Sequence, residues 1–129
     1  MEVILAVEDI KDNQNEIITK ECLVKCLEDF KELNVLLKYD YSKLIGKVTK
    51  LKLKDNKLIG EIKLDEDINY SDKIFWIGFV SNKSKLEGDV LIHNEIELMS
   101  VGMINKGADV YKEEYLKWKI EYVKHAIRI

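Results

Sequence analysis

The amino-acid sequence predicts an α+β fold whose sheet is built from antiparallel hairpins and whose chain ends in a helix. Alternation of apolar and polar residues over 47–54, a turn, and a returning strand over 58–64 predict the first hairpin. Two further apolar stretches, 74–80 and 90–104, predict a second hairpin. Helical spacing of apolar residues over 111–129 predicts the terminal helix.

Length and composition predict a single domain. The chain has 129 residues, of which 47% are hydrophobic, and this is enough to build one core. No internal repeat or linker divides the sequence. We therefore expect one domain over residues 1–129, made of a β-rich core at 1–110 and a C-terminal amphipathic helix at 111–129.

Charge and hydropathy argue against nucleic-acid and membrane partners. Acidic and basic residues nearly cancel, to a formal net charge of -3, so no global field attracts nucleic acid directly. No apolar run approaches the roughly 20 residues that a membrane span needs. The first ten residues carry acids where a signal peptide carries Lys or Arg. We expect a protein that is made and kept in a cytoplasm.

The remaining elements of the core follow from local patterns. Residues 2–7 are apolar and predict a first strand, and residues 35–37 predict a buried strand. Between them, Thr19 is a candidate cap for a helix that extends to about Leu33. The acidic stretch 65–72 lacks the ligand spacing of an EF-hand and is expected to be an exposed loop.

Chemically reactive side chains form no recognisable motif. Cys22 and Cys26 lie four residues apart on one predicted helical face, where they are expected to serve as small apolar residues. Alternation places His93 with Glu95 and Glu97 on one face of its strand, so we expect an exposed histidine without a catalytic role. We predict no metal site and no cofactor.

Several serines leave another arrangement open, because a histidine could meet one of them in the folded chain. Spacing along the sequence selects no such pair, and serines in polar loops are usually turn formers. The serines in question are Ser42, Ser71, Ser81 and Ser84.

The predicted terminal helix has two apolar rows, which lie about 100° apart around its axis. The first row is aromatic and consists of Tyr111, Tyr115, Trp118 and Tyr122; the second consists of Leu116, Ile120, Val123 and Ile127. One row can pack on the core of the domain, which leaves the aromatic row as a candidate partner-binding surface, because Tyr and Trp are enriched at interface anchors. The alternative is a terminal helix buried entirely against its own domain.

The order of motifs resembles the head-maturation (prohead) proteases of tailed bacteriophages. The stretch 16–30 is similar to a helix of that family that follows a short loop after the first strand. The stretch 35–51 is similar to a family segment in which an apolar strand ends in His-Asp and an Ile-Gly pair follows. These pairs stand here as Tyr-Asp at 39–40 and Ile-Gly at 45–46.

The second half of the core continues the resemblance, which covers roughly residues 1–111. The stretch 54–64 is similar to the returning strand of the family's hairpin. At 76–79 the sequence Trp-Ile-Gly-Phe stands where these enzymes carry Ser-Ile-Gly-Phe, whose serine is the nucleophile. The stretch 95–109 resembles a strand that carries the family's Glu and ends at a Pro-Ala-Asn corner; the corner stands here as Gly-Ala-Asp at 107–109.

The resemblance places the family's three catalytic roles on residues that cannot perform them. Trp76 stands at the nucleophile's position and has no nucleophilic atom. Tyr39 stands at the position of the base, and a phenol with a reference pKa of about 10 does not accept a proton at neutral pH. Ser100 stands at the position of the acid and carries no charge. We therefore predict that the chain is not an enzyme.

The resemblance implies a small protease-like β-barrel or antiparallel sheet with flanking helices, in addition to the C-terminal helix. It also implies a virion structural protein of a phage head, assembled in the host cytoplasm, such as a capsid decoration or stabilisation protein. The implied partners are the major capsid protein and further copies of the chain. The alternative is an inactive, protease-like assembly factor that is absent from the mature particle. A fold without protease ancestry would leave Tyr39 and Trp76 as ordinary strand aromatics.

Overall fold

A computed structural model describes residues 1–11 and 15–105 of the chain. The strands and the helix in these ranges are β1 (Glu2–Val7), β2 (Glu16–Ile18), α1 (Lys20–Glu28), β3 (Leu33–Leu37), β4 (Leu44–Lys54), β5 (Lys57–Leu64), β6 (Lys73–Glu87) and β7 (Val90–Asn105). The predicted terminal helix, residues 111–129, lies outside the described residues.

The described strands form one curled sheet, a half-barrel with one short helix. The strands lie in the order β1-β5-β4-β3-β7-β2, and β6 also pairs with β7. This arrangement is α+β in the coarse sense that the sequence predicts. Residues 1–11 and 15–105 contain one short helix, α1, and do not show the flanking helices that the resemblance implies.

Strand β7 organises the sheet. It pairs with β6 in antiparallel orientation from Val90 to Asn105, so β6 occupies one of its edges along its whole length. Both β2 and β3 pair with β7 in parallel orientation, at residues 91–93 and 101–103 respectively. They must therefore share the other edge of β7. Helix α1 connects β2 to β3 along the chain.

Helix α1 begins where the sequence predicts and ends earlier. The Oγ1 atom of Thr19 accepts a hydrogen bond from the backbone N–H of Cys22 at 3.2 Å, which caps the first turn. The prediction that the helix extends to about Leu33 is wrong, because α1 ends at Glu28. Leu33 instead begins β3 and pairs with Val48 of β4.

The β4–β5 hairpin confirms the predicted turn. Lys54 and Lys57 are paired, so Asp55 and Asn56 form a two-residue connection. Their φ angles are 50° and 68°, and two successive positive φ angles are the signature of a type I′ turn. Asn and Asp tolerate this conformation better than most residues do.

The β6–β7 hairpin is longer than the sequence predicts. The polar stretch 81–89 is expected as a connection, but β6 continues to Glu87 and the chain turns only at Gly88 and Asp89. Gly88 has φ 63°, which a glycine adopts without steric cost. Residues 81–89 are all exposed. We call the exposed end of this hairpin, residues 81–89, the arm.

The core lies between the curled sheet and α1. Phe75 and Trp76 of β6 are both completely buried, although consecutive strand residues point to opposite faces, so both faces of the sheet are covered at this point. Cys22 and Cys26 are buried free thiols on the inner side of α1, as predicted. Burial raises the pKa of Cys22 to about 11. Burial, and secondarily the charge of the Cys22 thiolate, raises the pKa of Cys26 to about 12.

These thiols predict a loss of stability in alkaline solution. A buried thiol that ionises with more difficulty in the folded chain than in the unfolded chain, where its pKa is near 9.0, stabilises the fold fully only below about pH 9. The free energy of unfolding should therefore fall between pH 8.5 and 10.5, and it should fall less in a Cys22→Ala/Cys26→Ala variant. Urea titrations at the two pH values measure both differences.

Val24→Ala is the matched control, because Val24 is on the exposed side of the same helix and carries no titrating group. This variant should retain the full alkaline loss of the wild type. An equal loss in the double cysteine variant would show that other groups cause it.

Candidate functional site

The three positions that the resemblance assigns to catalysis meet on one face of the sheet. Trp76 and Gly78 lie two residues apart on β6, and they pair with Gly102 and Ser100 of β7 respectively. The turn after β3 brings Tyr39 over the same four residues. Tyr39, Trp76 and Ser100 are therefore neighbours in the folded chain.

The ring of Tyr39 fills the space above the two glycines. A Cβ atom placed on Gly102 would lie 2.5 Å from Cζ of Tyr39. A Cβ atom on Gly78 would lie 3.0 Å from Cε1 of Tyr39 and 2.8 Å from Oγ of Ser100. Only glycine leaves room for the ring at these positions, so the sheet is shaped to receive Tyr39.

Hydrogen bonds hold the ring in this place. The Tyr39 hydroxyl donates to the backbone carbonyl oxygens of Trp76 and Ile77, at 2.8 and 3.1 Å. Its backbone lies in a tight turn in which Lys38 and Tyr39 have φ angles of 49° and 61°. A bulky residue rarely adopts such an angle, which costs about 1–3 kcal/mol, so the packing and the hydroxyl contacts offset local strain.

Two of the three positions are closed to solvent. The side chain of Trp76 is completely buried, and Ser100 is only 3% exposed. The Tyr39 hydroxyl donates its proton to main-chain carbonyl oxygens instead of accepting one. Trp76 and Ser100 therefore present no exposed hydroxyl, and the Tyr39 ring packs over the glycines beside them.

A second polar cluster lies further along the same two strands. The Nδ1 atom of His93, on β7, is 2.7 Å from Oγ of Ser81 on β6. The Nε2 atom of His93 is 2.5 Å from Oε1 of Glu16 on β2. Phe79 packs against the imidazole edge to face, with the ring centroids 5.1 Å apart. We call Glu16, Ser81 and His93 the histidine cluster.

The expectation that His93 is exposed is wrong, because its side chain is only 4% exposed. The cause is a β-bulge. Glu95 pairs with Lys83 and His93 pairs with Ser84, so Asn94 is an extra residue on β7. A one-residue insertion moves the following side chain to the other face, which takes His93 away from Glu95 and onto the buried face.

The sequence also assigns Ser81 to a loop, and this is wrong because Ser81 lies within β6. A two-residue turn at Gly88 and Asp89 would have placed Ser84 opposite His93, but not Ser81, which pairs with Ile96. Glu16 reaches His93 because β2 pairs with β7 in parallel orientation, and no local sequence pattern predicts this pairing.

An open groove of about 630 Å³ separates α1 from β7. Its walls include Cys26, Phe30 and Leu98, and the ion pair between Lys25 and Glu95, at 2.9 Å, crosses it. Hydrogen bonding in this pair raises the pKa of Lys25 and lowers the pKa of Glu95. The mixture of charges selects no particular ligand.

Residues 1–11 and 15–105 contain neither a group of metal-ligating side chains nor a membrane-spanning helix. No group of three His, Cys, Asp or Glu side chains in these ranges could hold a metal ion. No helix in the same ranges is long and apolar enough to cross a membrane.

Comparison with known proteins gives no match: no family model, no curated protein and no solved structure matches the chain.

The fit of Tyr39 over Gly102 predicts an energetic coupling between the two residues. Gly102→Ala should lower the free energy of unfolding by about 1–3 kcal/mol, because the added methyl group overlaps the Tyr39 ring. In a Tyr39→Ala background, which is itself less stable, the same change should cost at least about 1 kcal/mol less. Urea unfolding of the two single variants and the double variant measures the coupling.

Tyr41→Ala is the control, since Tyr41 is 77% exposed and lies two residues from Tyr39. It should change stability by less than about 0.5 kcal/mol and should not relieve Gly102→Ala. The same cost for Gly102→Ala in every background would mean that the ring does not occupy this space.

Proposed function

We propose that the chain is a non-catalytic structural protein of a phage virion, and specifically a capsid decoration or stabilisation protein. Its fold would be a prohead-protease-like barrel with flanking helices and a C-terminal helix. Its partners would be the major capsid protein and further copies of itself. Its place would be the phage head, after assembly in the host cytoplasm.

One observation carries this proposal: the Tyr39 ring occupies the face where the resemblance expects a catalytic cleft. The ring is anchored by its hydroxyl and fits over two glycines. In a fold of this kind, Tyr39, Trp76 and Ser100 would stay neighbours while the Tyr39 ring fills the space between them. A packed surface would then stand in place of a peptidase site. Retaining the fold without that chemistry is what a structural role requires.

The surface of the described residues also favours contacts with other proteins. Several large apolar side chains are exposed outside the core, and the arm extends the sheet with nine exposed residues. These apolar side chains are Tyr41, Leu44, Tyr70, Val80, Leu86 and Met99. The predicted aromatic row at Tyr111, Tyr115, Trp118 and Tyr122 would add a further surface for the capsid or for self-association.

Purified mature particles of the phage that encodes the chain should contain it intact and in fixed proportion to the major capsid protein. Quantitative mass spectrometry of gradient-purified particles measures this proportion. Immature heads, analysed in the same way, are the control. If the chain were present in immature heads and absent from mature particles, it would instead be the inactive assembly factor.

The aromatic row can be tested separately. Trp118→Ala combined with Tyr122→Ala should weaken self-association or capsid binding at least tenfold, because aromatic anchors commonly contribute about 2 kcal/mol or more each. Co-sedimentation with empty capsids and analytical ultracentrifugation measure the two interactions.

Ile120→Ala combined with Ile127→Ala is the matched control on the second row, and it should affect folding more than binding. If Trp118→Ala/Tyr122→Ala lowered the unfolding temperature of the monomer strongly, the aromatic row would belong to the core.

A further inference from the structure

We propose that Ser81 is an activated hydroxyl and a site of covalent acylation on the arm, with His93 as its base and Glu16 as the residue that positions His93. The donor would be an activated acyl group, such as an ester with a good leaving group or a thioester. This site is separate from Tyr39, Trp76 and Ser100 and goes beyond the proposed function, because it gives a structural protein a reactive attachment point.

The first support is the hydrogen-bond order of the histidine cluster. In the tautomer that the proposal requires, the Nε2 atom of His93 donates to Oε1 of Glu16 at 2.5 Å. The Nδ1 atom is then left with a lone pair, and the Ser81 hydroxyl lies 2.7 Å away as its donor. This is the sequence of contacts by which a base activates a serine.

The second support is the contrast in exposure within the cluster. His93 is 4% exposed, with Phe79 against one edge of its ring. Ser81, by contrast, lies on the exposed arm, where a donor can reach its hydroxyl. A shielded base beside an accessible hydroxyl limits competition from water at the imidazole while it leaves the nucleophile open.

The third support is the local backbone. The pairing changes register between Ser81 and Lys83, which makes Asn82 an extra residue on β6, and changes again at Asn94 on β7. Bulges of this kind re-aim side chains and are over-represented beside active sites. The two bulges flank the Ser81–His93 contact and bring both side chains to the same face.

Acyl transfer to Ser81 forms one bond and breaks one bond. The Ser81 Oγ atom attacks the carbonyl carbon of the donor while its proton moves to Nδ1 of His93, and Glu16 stabilises the resulting imidazolium. The bond from the carbonyl carbon to the leaving group then breaks. The leaving group departs with the proton from His93, which leaves an ester on Ser81 and a neutral imidazole. No oxidant, reductant or metal is required.

An alkyl fluorophosphonate tests the proposal, because it phosphonylates activated serines with loss of fluoride. The native full-length chain should gain one adduct, and peptide mapping should place it on Ser81. Labelling should disappear in Ser81→Ala and continue in Ser84→Ala, which removes an exposed serine three residues further along the same strand. Ser81 in urea-unfolded chain should label at least tenfold more slowly than in native chain.

The roles of the other two residues have separate measurements. His93→Gln should slow labelling of Ser81 by about a hundredfold or more, the usual contribution of a general base. Glu16→Gln should also slow it, and Glu16→Asp, which retains a carboxylate, should restore part of the rate. Circular dichroism of each variant establishes that it is folded.

The proposal is overturned if native Ser81 labels no faster than Ser84 or than Ser81 in unfolded chain. It is also overturned if folded His93→Gln labels at the wild-type rate. In either case the cluster only holds β2, β6 and β7 together. Comparison of native and unfolded wild-type chain decides the question even if His93→Gln does not fold, and none of these outcomes bears on the presence of the chain in virions.

Discussion

The structure depends on the pairing of β7, which holds β6 on one edge and both β2 and β3 on the other. This strand of 16 residues fixes the positions of β2, β3 and β6 relative to one another. Its Gly102 end receives the turn after β3, and its His93 end receives β2. The Tyr39 neighbourhood and the histidine cluster therefore both follow from the register of β7, because each combines a residue of β7 with residues from elements that β7 brings together.

At the Gly102 end of β7, two glycines without side chains leave room for the ring of Tyr39. Two glycines on neighbouring strands create a shallow depression, and Tyr39 fills it at the expense of a strained backbone. A histidine at position 39, as the resembled enzymes carry, would be shorter and would not reach the same carbonyl oxygens with a hydroxyl. The phenol of Tyr39 therefore makes this position part of the packed surface of the domain.

The parts of the fold that could be predicted are those with local causes. The cap at Thr19, the turn at Asp55 and the burial of Cys22 each depend on residues only a few positions apart. The histidine cluster could not be predicted, because the bulge at Asn94 reverses the alternation on which the placement of His93 rested. The packing of Tyr39 could not be predicted either, because it depends on glycine contacts that no local pattern reveals.

The two clusters lie on opposite faces of the β6–β7 ribbon. Tyr39 packs against Gly78, and His93 packs against Phe79, which is the next residue of the same strand. Because consecutive strand residues point to opposite faces, the Tyr39 ring neither covers nor supports the Ser81–His93 contact. Closing one face therefore has no direct consequence for the other. The proposed non-catalytic role and the proposed reactivity of Ser81 are therefore independent proposals, so evidence for one is not evidence against the other.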